Sequence, residues 1–224
     1  MHSLPMSFLM KHHIACRTTI VLALSLLFFP AQAIAQRFSV GGRVGFGAAN
    51  AVFEDEYSND RIEPRPGLLV GGIAGYQLNS ILTLQLELLY MQRGWAELET
   101  GGGRRLTYLE APLLLGINVP WTTSPHLLAG PSVALELGCS ITGVPEVGSV
   151  DCDDSQVEWD RTKVQFGVWL GLGVGRWFGW GRLDLQLLGN LSLTDMNREA
   201  LPSGSLRLAN VMLSAAYRTS LGGS

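Results

Sequence analysis

From about Arg37 to Arg218, apolar and polar residues alternate in eight segments, and the connections between them run long and short in turn. One segment sets Leu82, Leu84, Leu86, Leu88 and Tyr90 against Thr83, Gln85 and Glu87. Another sets Leu183, Leu185, Leu187, Leu191 and Leu193 against Arg182, Asp184, Gln186, Asn190 and Ser192. A strand projects successive side chains to opposite faces, so each segment has one apolar face and one polar face. In a soluble sandwich the apolar face would pack inside and the polar face would be wet. Here the polar face is poor in lysine and carries Gln, Asn, Glu and Arg, which suits the narrow lumen of a membrane barrel whose apolar side meets lipid.

The segments are 37–49, 67–78, 81–92, 105–119, 126–137, 162–176, 181–194 and 205–218. Most are long enough to cross a bilayer at barrel tilt and longer than ordinary globular strands. Short connections fall at Gln77 to Ser80, Pro120 to Pro125 and Trp177 to Trp180; long ones run from Asn50 to Pro66, Arg93 to Arg104, Gly138 to Arg161 and Asp195 to Gly204. Short periplasmic turns, longer outer loops and an even strand count describe an all-β, eight-stranded antiparallel up-and-down transmembrane β-barrel of the bacterial outer membrane.

The first residues supply a route to that membrane. Lys11, His12, His13 and Arg17 precede an apolar run from Thr19 to Phe29, and Pro30 leads to Ala33-Ile34-Ala35. This reads as a secretory signal peptide over 1–35, cleaved after Ala35, followed by one barrel domain over 36–224. A membrane anchor is the weaker reading, because a spanning helix needs roughly 20 apolar residues. Removal of Lys11 and Arg17 leaves 14 basic residues against 19 acidic ones, a formal net charge of −5. No basic patch argues for nucleic acid. Cys139 and Cys152 remain in the longest connection, and an exported chain is expected to oxidise them to a disulfide; two free thiols are the alternative.

Parity assigns the interior. Arg43, Gln85, Glu87, Tyr108, Glu110, Glu136, Gln165, Trp169, Arg182, Asp184 and Gln186 form the expected polar cluster, with Asn190, Asn210 and Arg218 on the same face. Trp169 stands among Gly167, Gly171, Gly173 and Gly175, where missing side chains leave room for a plug. Arg43 and Arg182 are the expected partners of the interior acids, which leaves carboxylates in excess. Leu89, Leu114, Leu128 and Leu188 break the polar parity and are assigned only to interior packing. Trp95, Trp121, Trp159, Trp177 and Trp180 sit at segment ends, where the aromatic girdles of a barrel belong.

The run Glu87-Leu88-Leu89-Tyr90, continuing through Met91-Gln92-Arg93-Gly94, precedes Tyr108-Leu109-Glu110-Ala111-Pro112-Leu113-Leu114-Leu115. With Ala129-Gly130-Pro131 and Leu172-Gly173-Val174-Gly175, this set resembles the outer-membrane protein β-barrel domain family, the porin-family small barrels of Bacteroidetes-type bacteria. The resemblance spans 37–218. It implies outer-membrane lipids and lipopolysaccharide as surroundings, with barrel-assembly machinery and periplasmic chaperones as partners in transit. Family members commonly end on an aromatic that completes the last strand, whereas this chain runs past Tyr217 to Ser224.

Catalysis is not expected. After cleavage the remaining histidine is His126, beside a short turn, with no serine or cysteine placed to form a nucleophile constellation. No metal site or cofactor is expected. The acidic residues Glu54, Asp55, Glu56, Asp60 and Glu63, and Glu146, Asp151, Asp153, Asp154, Glu158 and Asp160, read as solvated loops, and the run Asp151-Cys152-Asp153-Asp154-Ser155-Gln156 lacks the glycine and terminal glutamate of an EF-hand loop. The expected role is structural or surface-interacting. A narrow passive pore and a soluble lipocalin-like carrier of an apolar ligand are the alternatives.

Overall fold

The computed structural model describes residues 37–53, 61–98, 101–144, 148–154, 161–196 and 205–222. The expected signal peptide lies outside them. The described strands are β1 (Phe38–Phe53), β2 (Ile62–Gln77), β3 (Leu82–Glu97), β4 (Gly103–Asn118), β5 (Thr123–Val144), β6 (Gly148–Asp151), β7 (Val164–Phe178), β8 (Gly181–Ser192) and β9 (Leu206–Ser220).

Eight of these strands form a closed antiparallel ring in the order β4, β3, β2, β1, β9, β8, β7, β5, with β5 returning to β4. The first and last strands meet over their whole length, from Ser39 opposite Ser220 to Phe53 opposite Leu206. Closure removes every free edge, which is what lets a sheet lie in hydrocarbon without unpaired peptide groups. The remaining strand, β6, is a four-residue addition to the far end of β5, within the connection expected to be a loop.

Strands also reach further than the alternation suggests. Arg93 to Ala96 pairs with Gly103 to Leu106 and β2 begins at Ile62, so much of the expected long connections is hairpin. The alternation stops being apolar at Arg93, but a paired ladder continues past the bilayer as long as the backbone stays extended. A membrane-crossing strand needs only about 9–11 residues, so a 16-residue strand such as β3 projects its end into the aqueous phase.

The outward face is apolar around the ring. Val44 and Phe46 on β1, Leu86 and Leu88 on β3, Leu170 and Leu172 on β7, and Leu185 and Leu213 on β8 and β9 are all exposed. The inward face is buried and holds most of the polar side chains. On β5 the inward phase changes once. Tyr108 pairs with Glu136 and Thr107 with Gly138, so Leu137 is an extra residue in the ladder. That bulge shifts the alternation so that Glu136 and Cys139 both point inward.

Leu170 lies near the middle of β7 with 66% of its surface exposed. Leu170→Arg is therefore expected to destabilise the barrel in lipid by about 2–4 kcal/mol, the cost of a charge at the bilayer midplane. Urea unfolding of protein refolded into vesicles checks this; a change within about 0.5 kcal/mol, as at an ordinary wet surface, would contradict the membrane placement.

Candidate functional site

The inward side chains fall into two hydrogen-bonded networks separated by an apolar belt. At the short-turn end, Asp184 on β8 accepts from Nε of Arg182 at 2.7 Å and from Nη2 of Arg218 at 2.9 Å. Arg182 also donates to Asn118 Oδ1 at 3.1 Å. Further in, Arg43 on β1 makes a two-pronged contact to Glu87, at 2.9 and 2.7 Å, and donates to Ser214 at 2.9 Å and to the Gln186 carbonyl oxygen. With its oxygen taken by Arg43, Gln186 turns its amide N–H to His126 Nε2 at 2.8 Å. His126 Nδ1 lies 3.3 Å from the Ser124 carbonyl and 3.4 Å from Nη2 of Arg182.

The belt comprises Leu89, Leu114, Leu128, Leu188 and Met212, all buried within one apolar cluster. Glycines on β7 make the room. A Cβ at Gly171 would lie 2.6 Å from Leu188 Cδ2 and 3.4 Å from Leu128, and one at Gly175 would collide with Asp184. The four leucines that break the polar parity are thus a layer of the interior.

Beyond the belt, Glu110 accepts from Arg93, from Trp169 Nε1 at 2.7 Å and from Asn190 at 3.2 Å, and Asn210 donates to Asn190 at 3.1 Å. Arg93 lies over the Tyr108 ring at 5.1 Å, and the Tyr108 hydroxyl accepts from Gln165 at 2.9 Å. Towards the outer end Arg161 grips Glu136 with Nε at 2.9 Å and Nη2 at 2.5 Å, and reaches Asp153 with Nη1 at 2.9 Å. Lys163 closes on Asp153 from the other side at 3.0 Å. Cys139 and Cys152 are joined in a disulfide, with Cα atoms 5.4 Å apart, that pins β6 beside this cluster.

All eleven residues assigned to the interior from sequence are buried. Gln85 packs beside Gly116 and takes no part in either network among the described residues. The expected charge balance is corrected. Glu87, Glu110 and Glu136 each hold one arginine, and Asp184 holds two; the arginines are Arg43, Arg93, Arg161, Arg182 and Arg218. Arg93 and Arg161 fall within expected loops because their strand and hairpin extend past the apolar alternation. For Arg93 the parity of Leu89 and Met91, carried two residues on, is the available signal. For Arg161 there is none.

Trp95 is also corrected. It is an interior residue, buried under Arg104 at 5.4 Å, because β3 continues to Glu97 and keeps odd positions facing inward. Trp121, Trp177 and Trp180 are exposed at the short-turn end, and Trp159 lies outside the described residues. Trp180 stacks on Phe178 and accepts at its carbonyl from the Tyr217 hydroxyl at 2.6 Å. Of the acidic loop residues, 54–60, 146 and 155–160 lie outside the described residues. No group of metal-ligating side chains occurs among those described.

Below the belt, the Arg182–Arg218 floor closes a cavity of about 170 Å³ that opens at the short-turn end. Its lining includes Arg37, Ser39, Asn118, Trp121 and Trp177.

A family model described as "Outer membrane protein beta-barrel domain" matches residues 31–198. No curated protein matches the sequence. Among solved structures, the chain is similar to the outer membrane protein OprG from Pseudomonas aeruginosa at 11% identity, covering 81% of this chain and 95% of that one, with a TM-score of 0.51. It is also similar to Neisserial surface protein A, at 14% identity, 80% and 96% coverage and a TM-score of 0.48. The attachment invasion locus protein Ail of Yersinia pestis, solved with the heparin analogue sucrose octasulfate, is similar at 11% identity, 82% and 99% coverage and a TM-score of 0.43. At these identities the likeness concerns the fold alone.

The networks set two expected outcomes. Glu110→Leu leaves the buried Arg93 guanidinium unpaired and is expected to cost about 3–5 kcal/mol in unfolding experiments, most of it recovered in Glu110→Leu/Arg93→Met. A double variant no more stable than the single one would deny the pairing. The Asp153 carboxyl, outside the spanning segments, is held below its ordinary pKa by the hydrogen bond from Lys163 and then that from Arg161. The clasp is complete above the ordinary carboxylate value of about 3.9 and opens as pH falls through the lowered one. Hydrogen exchange of the β5–β6 hairpin should rise across that acid range, and Asp153→Asn should abolish the step.

Proposed function

We propose, because this chain belongs to the outer membrane protein β-barrel domain family and resides in the bacterial outer membrane, that it is a non-conducting barrel whose task is structural and surface-directed. The observation that carries this reading is the apolar belt. Leu89, Leu114, Leu128, Leu188 and Met212 lie between two polar networks that share no hydrogen bond among the described residues. An ion crossing there would give up its hydration with no polar group to replace it. An eight-stranded barrel has a lumen that side chains can fill, and here they do.

The apolar face meets outer-membrane lipids and lipopolysaccharide, and the hairpins beyond the bilayer are left to engage whatever the cell surface encounters. Barrel-assembly machinery and periplasmic chaperones act on the chain in transit. A soluble carrier of an apolar ligand needs the opposite arrangement, apolar inside and polar outside. Catalysis has little support. His126 is buried, its Nδ1 faces the Ser124 carbonyl, and the Ser124 hydroxyl donates instead to the Val119 carbonyl at 2.6 Å.

Planar-bilayer recordings of the refolded protein are expected to show no discrete open-channel events. A variant with Leu89, Leu128 and Leu188 all changed to serine should raise the leak. Discrete conductance by the unaltered protein would establish the passive pore in place of this reading.

A further inference from the structure

Interior charge is not evenly balanced along the barrel axis. Arg43 is matched by Glu87 and Arg93 by Glu110, but Arg182 and Arg218 share the single carboxylate of Asp184. Their contacts with it use Nε of Arg182 and Nε and Nη2 of Arg218, leaving Nη1 of each outside those pairs. Both side chains are less than 10% exposed, and what remains exposed faces the cavity at the short-turn end. Asp184 has 0% side-chain exposure and does not line the cavity, so a group in the cavity meets the guanidinium side of the cluster.

Among the described residues, that cavity is lined by three arginines, Arg37, Arg182 and Arg218, and by no carboxylate. A buried surplus of one positive charge is costly until an anion neutralises it. Arg presents a planar fork of donors that matches a carboxylate in geometry and charge. The indoles of Trp121 and Trp177 and the ring of Phe38 add flat apolar walls, while Asn118 and Ser39 supply further polar contacts. At about 170 Å³ the cavity is smaller than a typical drug-sized site and admits a head group or a small molecule.

We propose that the periplasmic mouth of the barrel is a binding site for a small carboxylate, seated on Arg182 and Arg218 with Arg37 at its rim. A monoanion matches the single surplus charge of the floor. The carboxylate comes either from a free small acid of the periplasm or from the end of a peptide, since both present the same group to the arginines. The pocket is floored by Arg182 and Arg218, and that nothing passes beyond that floor rests on the non-conducting reading; failure of that reading appears as conductance, whereas failure of this one appears in binding.

The test is a fluorescence titration of the refolded barrel, reading the tryptophans at the mouth. Sodium benzoate stands for the free acid and N-acetyl-alanyl-alanine for the peptide end. Benzamide serves as the uncharged isostere, with ionic strength held by sodium chloride. A saturable change with either carboxylate and none with benzamide is expected. Arg37→Gln, at an exposed position, should weaken binding by roughly two- to five-fold. Asp184→Asn, which removes the competing carboxylate, should strengthen it, with heat-modifiable gel migration confirming that each variant is folded. If Asp184→Asn does not fold, Arg37→Gln and the benzamide comparison decide alone. Equal responses to benzoate and benzamide, no saturation with either carboxylate, or undiminished affinity in Arg37→Gln would overturn the proposal.

Discussion

A peptide group in hydrocarbon has no water to bond, so every N–H and C=O of a spanning sheet must find a partner in the sheet itself. The full-length pairing of β1 with β9 meets that demand by joining the first strand to the last. With eight strands the ring is narrow, and that narrowness governs both of its faces. Side chains facing inward must fill a confined space, and those facing outward must be indifferent to lipid. Glycines on β7 are one consequence: a Cβ at Gly171 would press on Leu188, and one at Gly175 would collide with Asp184 at a lower level of the barrel.

Confinement also decides how charge is handled. Ionised groups removed from water cost several kcal/mol each unless paired and hydrogen-bonded. Glu110 is met by an arginine, an indole N–H and an amide N–H together, and Glu87 by a two-pronged arginine. These contacts tie β1 to β3 and β8, and β4 to β7 and β8, across the lumen, where no backbone ladder reaches. The polar interior therefore acts as an internal brace. Where the bracing is unequal, at Arg182 and Arg218, the surplus charge lies against the cavity at the mouth.

Much of this architecture is legible in the chain alone. Alternation of period two separates Leu84, Leu86 and Leu88 from Gln85 and Glu87, and one-sided polarity places the second set inside. The parity of Trp169 among glycines identifies a residue that is buried in the interior. Strand ends are where periodicity misleads. Trp95 has the sequence context of a girdle residue because apolar alternation has ceased there, yet pairing with Arg104 keeps the strand extended and the ring inside. Arg161 reaches Glu136 from outside any regular strand, so no period points to it. His126 likewise gives no sign that Gln186, sixty residues away, orients its ring.

The amino-acid sequence by itself determined that the chain forms long strands with one apolar and one polar face each, because that arises from a local rule: a strand turns each successive side chain to the other face. Tertiary structure alone decided which arginine meets which acid, that four parity-breaking leucines assemble into one belt, and that Arg182 and Arg218 share a single carboxylate beneath a cavity. Those outcomes depend on the stagger between strands distant in the chain and on the ring that closes them. Periodicity within one strand carries no information about either.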